Sequence, residues 1–281
     1  MPNDGESVPP VGTETARFAG GGVLLYDKPA GLTSHDVVAG VRRRLGRGIK
    51  VGHAGTLDPF ATGLLLILLG RATRVQRFLM ELPKTYEVTT RFGAVSSTGD
   101  PEGAIVETGV VPDGDLELPI GLVRQRPPAY SAVKVGGRRA YKLARAGETV
   151  ELPEREVEIH RFEERWRKGG RRGFVIECSS GTYVRSLIAD LGDAYCEALR
   201  RTRIGHFDVA AADPGRVVEL NEALAFLPAV ELDAEAAVRV GHGVAVPGSA
   251  EGVVRLTDAD GLIALAEPHE GGVLKPIVVL R

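Results

Sequence analysis

Few positions in this sequence combine residue types that can do chemistry, and Asp58, in the string KVGHAGTLDPFATG, is the first of them. A carboxylate held in such a loop can act as a nucleophile or a general base, and either role needs it ionised. Taken bare, an Asp before Pro in a Gly-rich stretch is also an ordinary turn former. The six histidines, at 35, 53, 160, 206, 242 and 269, include no close pair of the kind that ligates metal. Cys178 and Cys196 form neither a CxxC nor a disulfide framework, which fits a reducing cytoplasm. No metal is expected.

Charge adds a partner class. The formal net charge is −2, but residues 207–281 hold five basic and twelve acidic residues, a balance of −7 that leaves +5 in residues 1–206. Arg124 to Arg145 contains seven basic residues and no acid, and Arg42 to Lys50 five more without an acid. Two acid-free clusters on a near-neutral chain suit a polyanion, so nucleic acid is the expected partner. The longest apolar run, Leu64 to Leu69, is far too short to span a bilayer, and no membrane association is expected. Residues 1–20, rich in Pro, Gly and acidic groups, resemble neither a signal nor a transit peptide and read as a disordered tail.

The elements that position Asp58 follow from pattern. Gly22 to Tyr26 reads as an apolar strand, and DKPAGLTS after it as a turn with Ser34 capping a helix over HDVVAGVRRRLG. Pro59 disfavours helix at Asp58 and predicts a loop, followed by the buried element LLLILLG. TYEVTTRF, VEIHRFEERW and FVIECSSG alternate as half-exposed strands do. SLIADLGDAYCEALRRT carries Leu187, Leu191, Ala194 and Leu199 at helical spacing and predicts one helix. Strands and helices without regular βα alternation imply an α+β fold. Near Pro228 the composition shifts to short strands between Gly-rich turns. Residues 228–281 therefore read as a small all-β module of about fifty residues, near the lower limit for independent folding and expected to pack on the main domain, 21–227.

Five strings together resemble the TruB family of tRNA pseudouridine synthases, in that family's order. GHAGTLDPFATGLLLILLGRATR at 52–74 is similar to its signature almost residue for residue. GVLLYDKPAGLTSHDVV at 22–38, KTYEV at 84–88, QRPPAYSAVKVGGRRAYKLARAG at 125–147 and GTYVRSLIADLG at 181–192 resemble its other motifs. The resemblance implies an α+β pseudouridine-synthase catalytic domain with a mixed, mainly antiparallel sheet, an RNA-clasping insertion at about 124–147 and a small all-β PUA-like C-terminal module. It implies isomerisation of uridine 55 in the T-loop of tRNA, without a cofactor, by a monomer needing no protein partner. On the matching positions Asp58 is the catalytic aspartate, Arg185 its guanidinium partner and Tyr86 the ring that stacks on the base. His53, Tyr183, Arg138, Arg139 and Lys142 are implied in RNA binding, and Lys28, Pro29 and Leu199 in support of the site. One departure stands out: where the family commonly has a longer segment containing Gly-Ala-His-Leu, only DAYCEA joins the arginine motif to LRRTRIGHF. Rival readings are a non-catalytic tRNA-binding or folding protein of the same fold, a ribosomal-RNA-modifying relative, and an aspartate-nucleophile hydrolase. The last would want a phosphate loop or metal carboxylates that the sequence lacks.

Overall fold

A computed structural model describes residues 21–46, 48–128, 130–131, 133–140, 143, 146–148 and 152–281; the expected tail, 1–20, lies outside them. The strands of the main domain are β1 (Gly22–Lys28), β2 (Val51–Ala54), β3 (Thr62–Leu69), β4 (Lys84–Phe92), β5 (Ala94–Ser96), β6 (Ile105–Glu107), β7 (Gly121–Gln125), β8 (Lys134–Val135), β9 (Arg138–Arg139), β10 (Arg155–Lys168), β11 (Arg171–Cys178), β12 (Ala194–Ile204), β13 (Phe207–Asp208) and β14 (Val217–Val218). Helices α1 (Ser34–Leu45), α2 (Gln76–Glu81), α3 (Val184–Ala189) and α4 (Leu220–Ala223) accompany them. The C-terminal module comprises β15 (Ala229–Glu231), α5 (Ala234–Gly241), β16 (Val246–Pro247), β17 (Val254–Asp258), β18 (Gly261–His269) and β19 (Val273–Val279).

Ten strands form one α+β sheet in the order β14-β1-β3-β12-β4-β11-β10-β7, with β2 on β3 and β13 on β12. Every pairing is antiparallel except the join of β3 to β12, a two-residue parallel contact that sets Arg200 opposite Thr62 and Arg201 opposite Gly63. This seam divides the sheet into two antiparallel halves. Asp58 lies four residues before β3 begins, so its loop runs onto the seam.

The run LLLILLG is continuous because β3 is covered on both faces. Leu64, Leu66 and Leu68 enter a core shared with α2, α4 and the C-terminal module, while Leu65, Ile67 and Leu69 enter a second core under α1. A third core gathers Tyr86, Val88, Phe92, Ile159, Phe174, Leu187 and Leu199 around β4, β10, β11, β12 and α3.

Two sequence expectations are corrected. Thr33, not Ser34, caps α1: its hydroxyl accepts from the Asp36 N–H, and Asp36 accepts from the Thr33 N–H in return, a capping box. Ser34 becomes the first helical residue and turns its hydroxyl to the Asp58 loop. The helix expected over 186–202 ends at Ala189, and Ala194 onward is strand β12, beside β4. Bulges between Cys196 and Ala198 and between Arg201 and Arg203 break the period of two, so the buried residues fall at spacings that imitate a helix. The short DAYCEA segment is the start of that strand.

In the C-terminal module the four expected strands and one not expected, β15, form a five-stranded sheet, β15-β17-β18-β19-β16, and the all-β reading missed helix α5, whose Asp233 cap accepts from the Ala236 N–H. The module has its own core around Val240, Leu256, Ile263 and Leu274. Leu265, Val278 and Leu280 instead enter the main-domain core with Val23 and Leu64. Arg71 Nη1 donates to the Leu280 carbonyl at 2.5 Å, and Arg74 donates to that of Val279. Among the described residues no helix is long and apolar enough to cross a membrane.

Gly63 shows how tight the seam is. Its φ is +102°, and a Cβ there would stand 2.2 Å from the Arg201 carbonyl oxygen. Gly63→Ala combines a left-handed backbone with a main-chain clash, and should lower unfolding free energy by at least about 2 kcal/mol. Urea denaturation of the variant beside the parent measures this.

Candidate active site

The Asp58 loop, residues 55–61, has no ladder of its own, so each of its carbonyls needs a separate donor. Arg201, only 1% exposed, reaches up from β12: Nη2 donates to the Gly55 oxygen at 3.2 Å, Nη1 to that of Thr56 at 3.4 Å and Nε to that of Leu64 at 2.8 Å. Ser34 Oγ donates to the Leu57 carbonyl at 3.2 Å and accepts from the Leu57 N–H at 2.9 Å. The Asp58 carbonyl accepts from Ala61 N–H, and that of Pro59 from Gly31 N–H at 2.8 Å and Lys28 Nζ at 3.2 Å. Lys28 spends its other donors on Pro29 and Leu32. Strand β1, helix α1 and strand β12 thus fix one loop.

The loop presents Asp58 to Arg185. The Arg185 side chain is 4% exposed, whereas that of Asp58 keeps 34% of its surface open. The carboxylate is therefore densely walled yet accessible from one side. Arg185 Nε lies 3.0 Å from Asp58 Oδ2, but its N–H does not point along that line, so the contact is an ion pair more than an aligned hydrogen bond. The remaining donors are fixed elsewhere. Nη1 donates to the Thr98 carbonyl at 2.7 Å and Asp100 Oδ2 at 2.9 Å, and Nη2 to the Tyr130 carbonyl at 2.9 Å.

Asp100 was not signalled by the sequence reading. It is buried, accepts from Thr98 Oγ1 at 2.6 Å and the Glu102 N–H at 3.0 Å, and lies in a turn held by Cys196 N–H donating to the Gly99 carbonyl. Gly99, at φ +74°, lets that turn close against Arg185, whose Cβ is 3.4 Å from where a Gly99 Cβ would stand. Arg201 was also missed, although LRRTRIGHF contains it. A signal existed in both cases only as Asp or Arg inside a quoted or neighbouring string.

Electrostatics follow from burial. Desolvation pushes the Asp58 carboxyl above its ordinary value, against the opposing pull of Arg185, and the Asp100 charge adds to the rise. Desolvation also brings Lys28 down to about 8, an effect that Asp58 opposes and Arg201 deepens. Burial raises the Tyr86 phenol while the neighbouring Arg201 guanidinium works against it. His53 is lowered, first by burial and then by His35 and Arg201.

The structure brings Asp58, Arg185, Lys28, Pro29, Tyr86 and Leu199 to the seam: Tyr86 stands opposite Arg201 in the β4–β12 register, and Leu199 opposite Val88. His53 is on β2, its ring edge-on to His35 at 5.9 Å, its carbonyl accepting from Gln76 Nε2, and its Nδ1 without a partner among the described residues. Tyr183 precedes α3, with the Arg155 guanidinium 4.6 Å over its ring. Arg138 is not drawn into this group; it is exposed and ion-paired to Glu148 at 3.0 Å. The Arg139 side chain and Lys142 lie outside the described residues.

This fold has counterparts among known structures. Over 99% of this chain it superposes on 92% of a chain in the crystal structure of a Cbf5-Nop10-Gar1 complex, with a TM-score of 0.71 and 25% identity. It matches likewise a chain in the structure of an H/ACA RNP bound to a substrate RNA containing 2′-deoxyuridine, with a TM-score of 0.70 and 24% identity. Residues 42–184 match the TruB family pseudouridylate synthase N-terminal domain, and residues 228–280 the C-terminal domain of pseudouridine synthase II TruB. A tRNA pseudouridine synthase B of Thermobifida fusca (strain YX) is 44% identical, covering 92% of this chain and 98% of its own length. One of Mycobacterium tuberculosis (strain ATCC 25618 / H37Rv) is 41% identical over 93% and 96%. The chain belongs to the TruB family of pseudouridylate synthases.

The raised Asp58 carboxyl has a consequence for stability. A folded-state value above the unfolded one means that the native state binds the extra proton, so stability falls as pH rises from about 3.8 through the folded value. Asp58→Asn removes that penalty and leaves Arg185 paired with Asp100. At pH 7 the variant should melt above the parent, and the difference should vanish below pH 4. Calorimetry across that range tests both halves.

Proposed function

We propose that this protein is a tRNA pseudouridine synthase that isomerises uridine 55 in the T-loop, with Asp58 as the group that acts at the ribose or the base. The observation that carries the reading is the arrangement at the seam: an accessible carboxylate 3.0 Å from a buried guanidinium whose other donors are fixed by Thr98, Asp100 and Tyr130. Family membership and the names of the relatives supply the substrate class.

The reaction breaks the N1–C1′ bond, turns the uracil and joins C5 to C1′; C5 gives up its proton and N1 gains one. No electrons are exchanged with another molecule. An ionised Asp58 is required, and the Arg185 charge favours that form against the desolvation that opposes it. Extruding the nucleotide costs about a few kcal/mol, recovered in part by stacking. Tyr86 is the platform in this reading, fixed from below by β12. His53, whose imidazole burial holds below its ordinary value, is assigned in this reading to the displaced nucleotide.

Phosphate contacts fall to the basic segment 124–147. The C-terminal module is poorly equipped for them: it carries eight acidic and four basic residues. Of those four, Arg281 pairs with Asp258 at 2.5 Å, Arg255 donates to Asn221 and Leu227, and Arg239 to the Ala245 carbonyl.

Asp58→Asn should reduce pseudouridine formation on an unmodified T-arm stem-loop at least about a thousandfold while leaving affinity within about tenfold, because phosphates dominate binding. Single-turnover kinetics beside filter binding measures the two, and measurable turnover near the parent rate refutes the role of Asp58. An rRNA fragment run in parallel tests the substrate class. Reversing charge at Arg138, Arg139 and Lys142 should flatten the salt dependence of binding by roughly 0.7–0.9 per lost contact. Deleting 228–281 should flatten it less, provided that the truncated chain stays folded by circular dichroism.

A further inference from the structure

Helix α3, which carries Arg185, is only six residues long and has no side-chain cap at Tyr183. A helix this short does not hold itself in water, so its orientation is set by the core that Val184, Leu187 and Ile188 enter and by what its ends are tied to. One tie dominates. Gln125, the last residue of β7, is 1% exposed, and its carboxamide faces the backbone of Tyr183 at two points. Nε2 donates to the Tyr183 carbonyl at 2.8 Å, and Oε1 accepts from the Tyr183 N–H at 2.7 Å. The side chain thus replaces a missing strand at the entry to α3.

Neighbouring links run the same way. Ser186 Oγ donates to the Arg126 carbonyl at 3.2 Å, and Arg185 Nη2 to that of Tyr130 at 2.9 Å. Gln125, Arg126 and Tyr130 therefore grip α3 on both sides of Arg185, and of the three only Gln125 is buried. The same clamp fixes the Tyr183 ring beneath Arg155.

We infer that Gln125 is a positioning residue for the reaction: it sets the orientation of α3 and through it the reach of Arg185 to Asp58. This rests on the function proposed above. Alternatives at this position do not reproduce the clamp. Asn is one methylene too short, Glu places an acceptor against the Tyr183 carbonyl, and Met supplies neither donor nor acceptor.

The test is Gln125→Met, with Gln125→Glu measured in the same way should the first fail to fold. Single-turnover pseudouridine formation on the T-arm stem-loop should fall tenfold to a hundredfold, with the dissociation constant within about threefold of the parent. In an Arg185→Lys background the same substitution should cost less than about threefold, because the group it orients has already been changed. An unchanged rate in a folded variant, a rate that falls only in step with affinity, or a full cost persisting in the Arg185→Lys background each overturns the assignment. A readout free of activity separates this from failure of the function itself. In the parent the buried Arg185 Nε–H should exchange slowly with solvent, and in the Gln125 variant at least tenfold faster by nitrogen-15 NMR; equal exchange refutes the clamp even if neither protein makes pseudouridine.

Discussion

The need to give every buried carbonyl a donor governs this molecule. A loop that must expose a carboxylate cannot join a sheet, so its main-chain oxygens at 55, 56, 57 and 59 draw donors from Arg201, Ser34, Lys28 and the Gly31 N–H. Two of these donors are buried cations without a contacting carboxylate among the described residues. They tolerate that because each spends its donors on carbonyl dipoles. The loop is rigid without being regular. A loss is costliest at Leu57, whose carbonyl and N–H both pair with Ser34 in buried contacts.

The same geometry explains the electrostatic balance. Arg185 is bound by two carboxylates, yet only Asp100 is fully enclosed, and it holds the guanidinium from behind while Asp58 faces the opening. A single ion pair would let the arginine follow the aspartate wherever it moved. Anchoring by Thr98, Asp100 and Tyr130 leaves the guanidinium a fixed charge past which a substrate can displace solvent without disturbing it. Burial then raises Asp58 and lowers Lys28 and His53, in each case disfavouring the charged form.

Much of this was legible in the sequence, for reasons that differ by element. Pro59 marked a loop because its ring excludes helix at the preceding residue, and the alternation in TYEVTTRF survives in β4 because one partner lies on each side without a bulge at Tyr86 or Val88. β12 was misread because its two bulges rotate successive side chains between faces, so that burial no longer alternates. The Asp58 and Arg185 strings were conspicuous as strings. Asp100 was not, since nothing local distinguishes an aspartate that will meet an arginine eighty-five positions later from any other turn former. Ser34 was assigned to the helix beginning, where serine is common, when Thr33 took that place and freed Ser34 for the loop.

Val23 and Leu280 share one hydrophobic core, with the guanidinia of Arg71 and Arg74 closing over the carbonyls of the last strand. During synthesis β1 must therefore wait for β18 and β19 to leave the ribosome. At ~5–20 residues per second this delay is on the order of tens of seconds, long compared with hairpin formation in microseconds. Until then the apolar surface of β1 and β3 is incompletely covered, and a nascent chain interrupted before β18 presents that surface to chaperones and proteases. Closure of the core around β1 and β3 in this way depends on the arrival of β18 and β19.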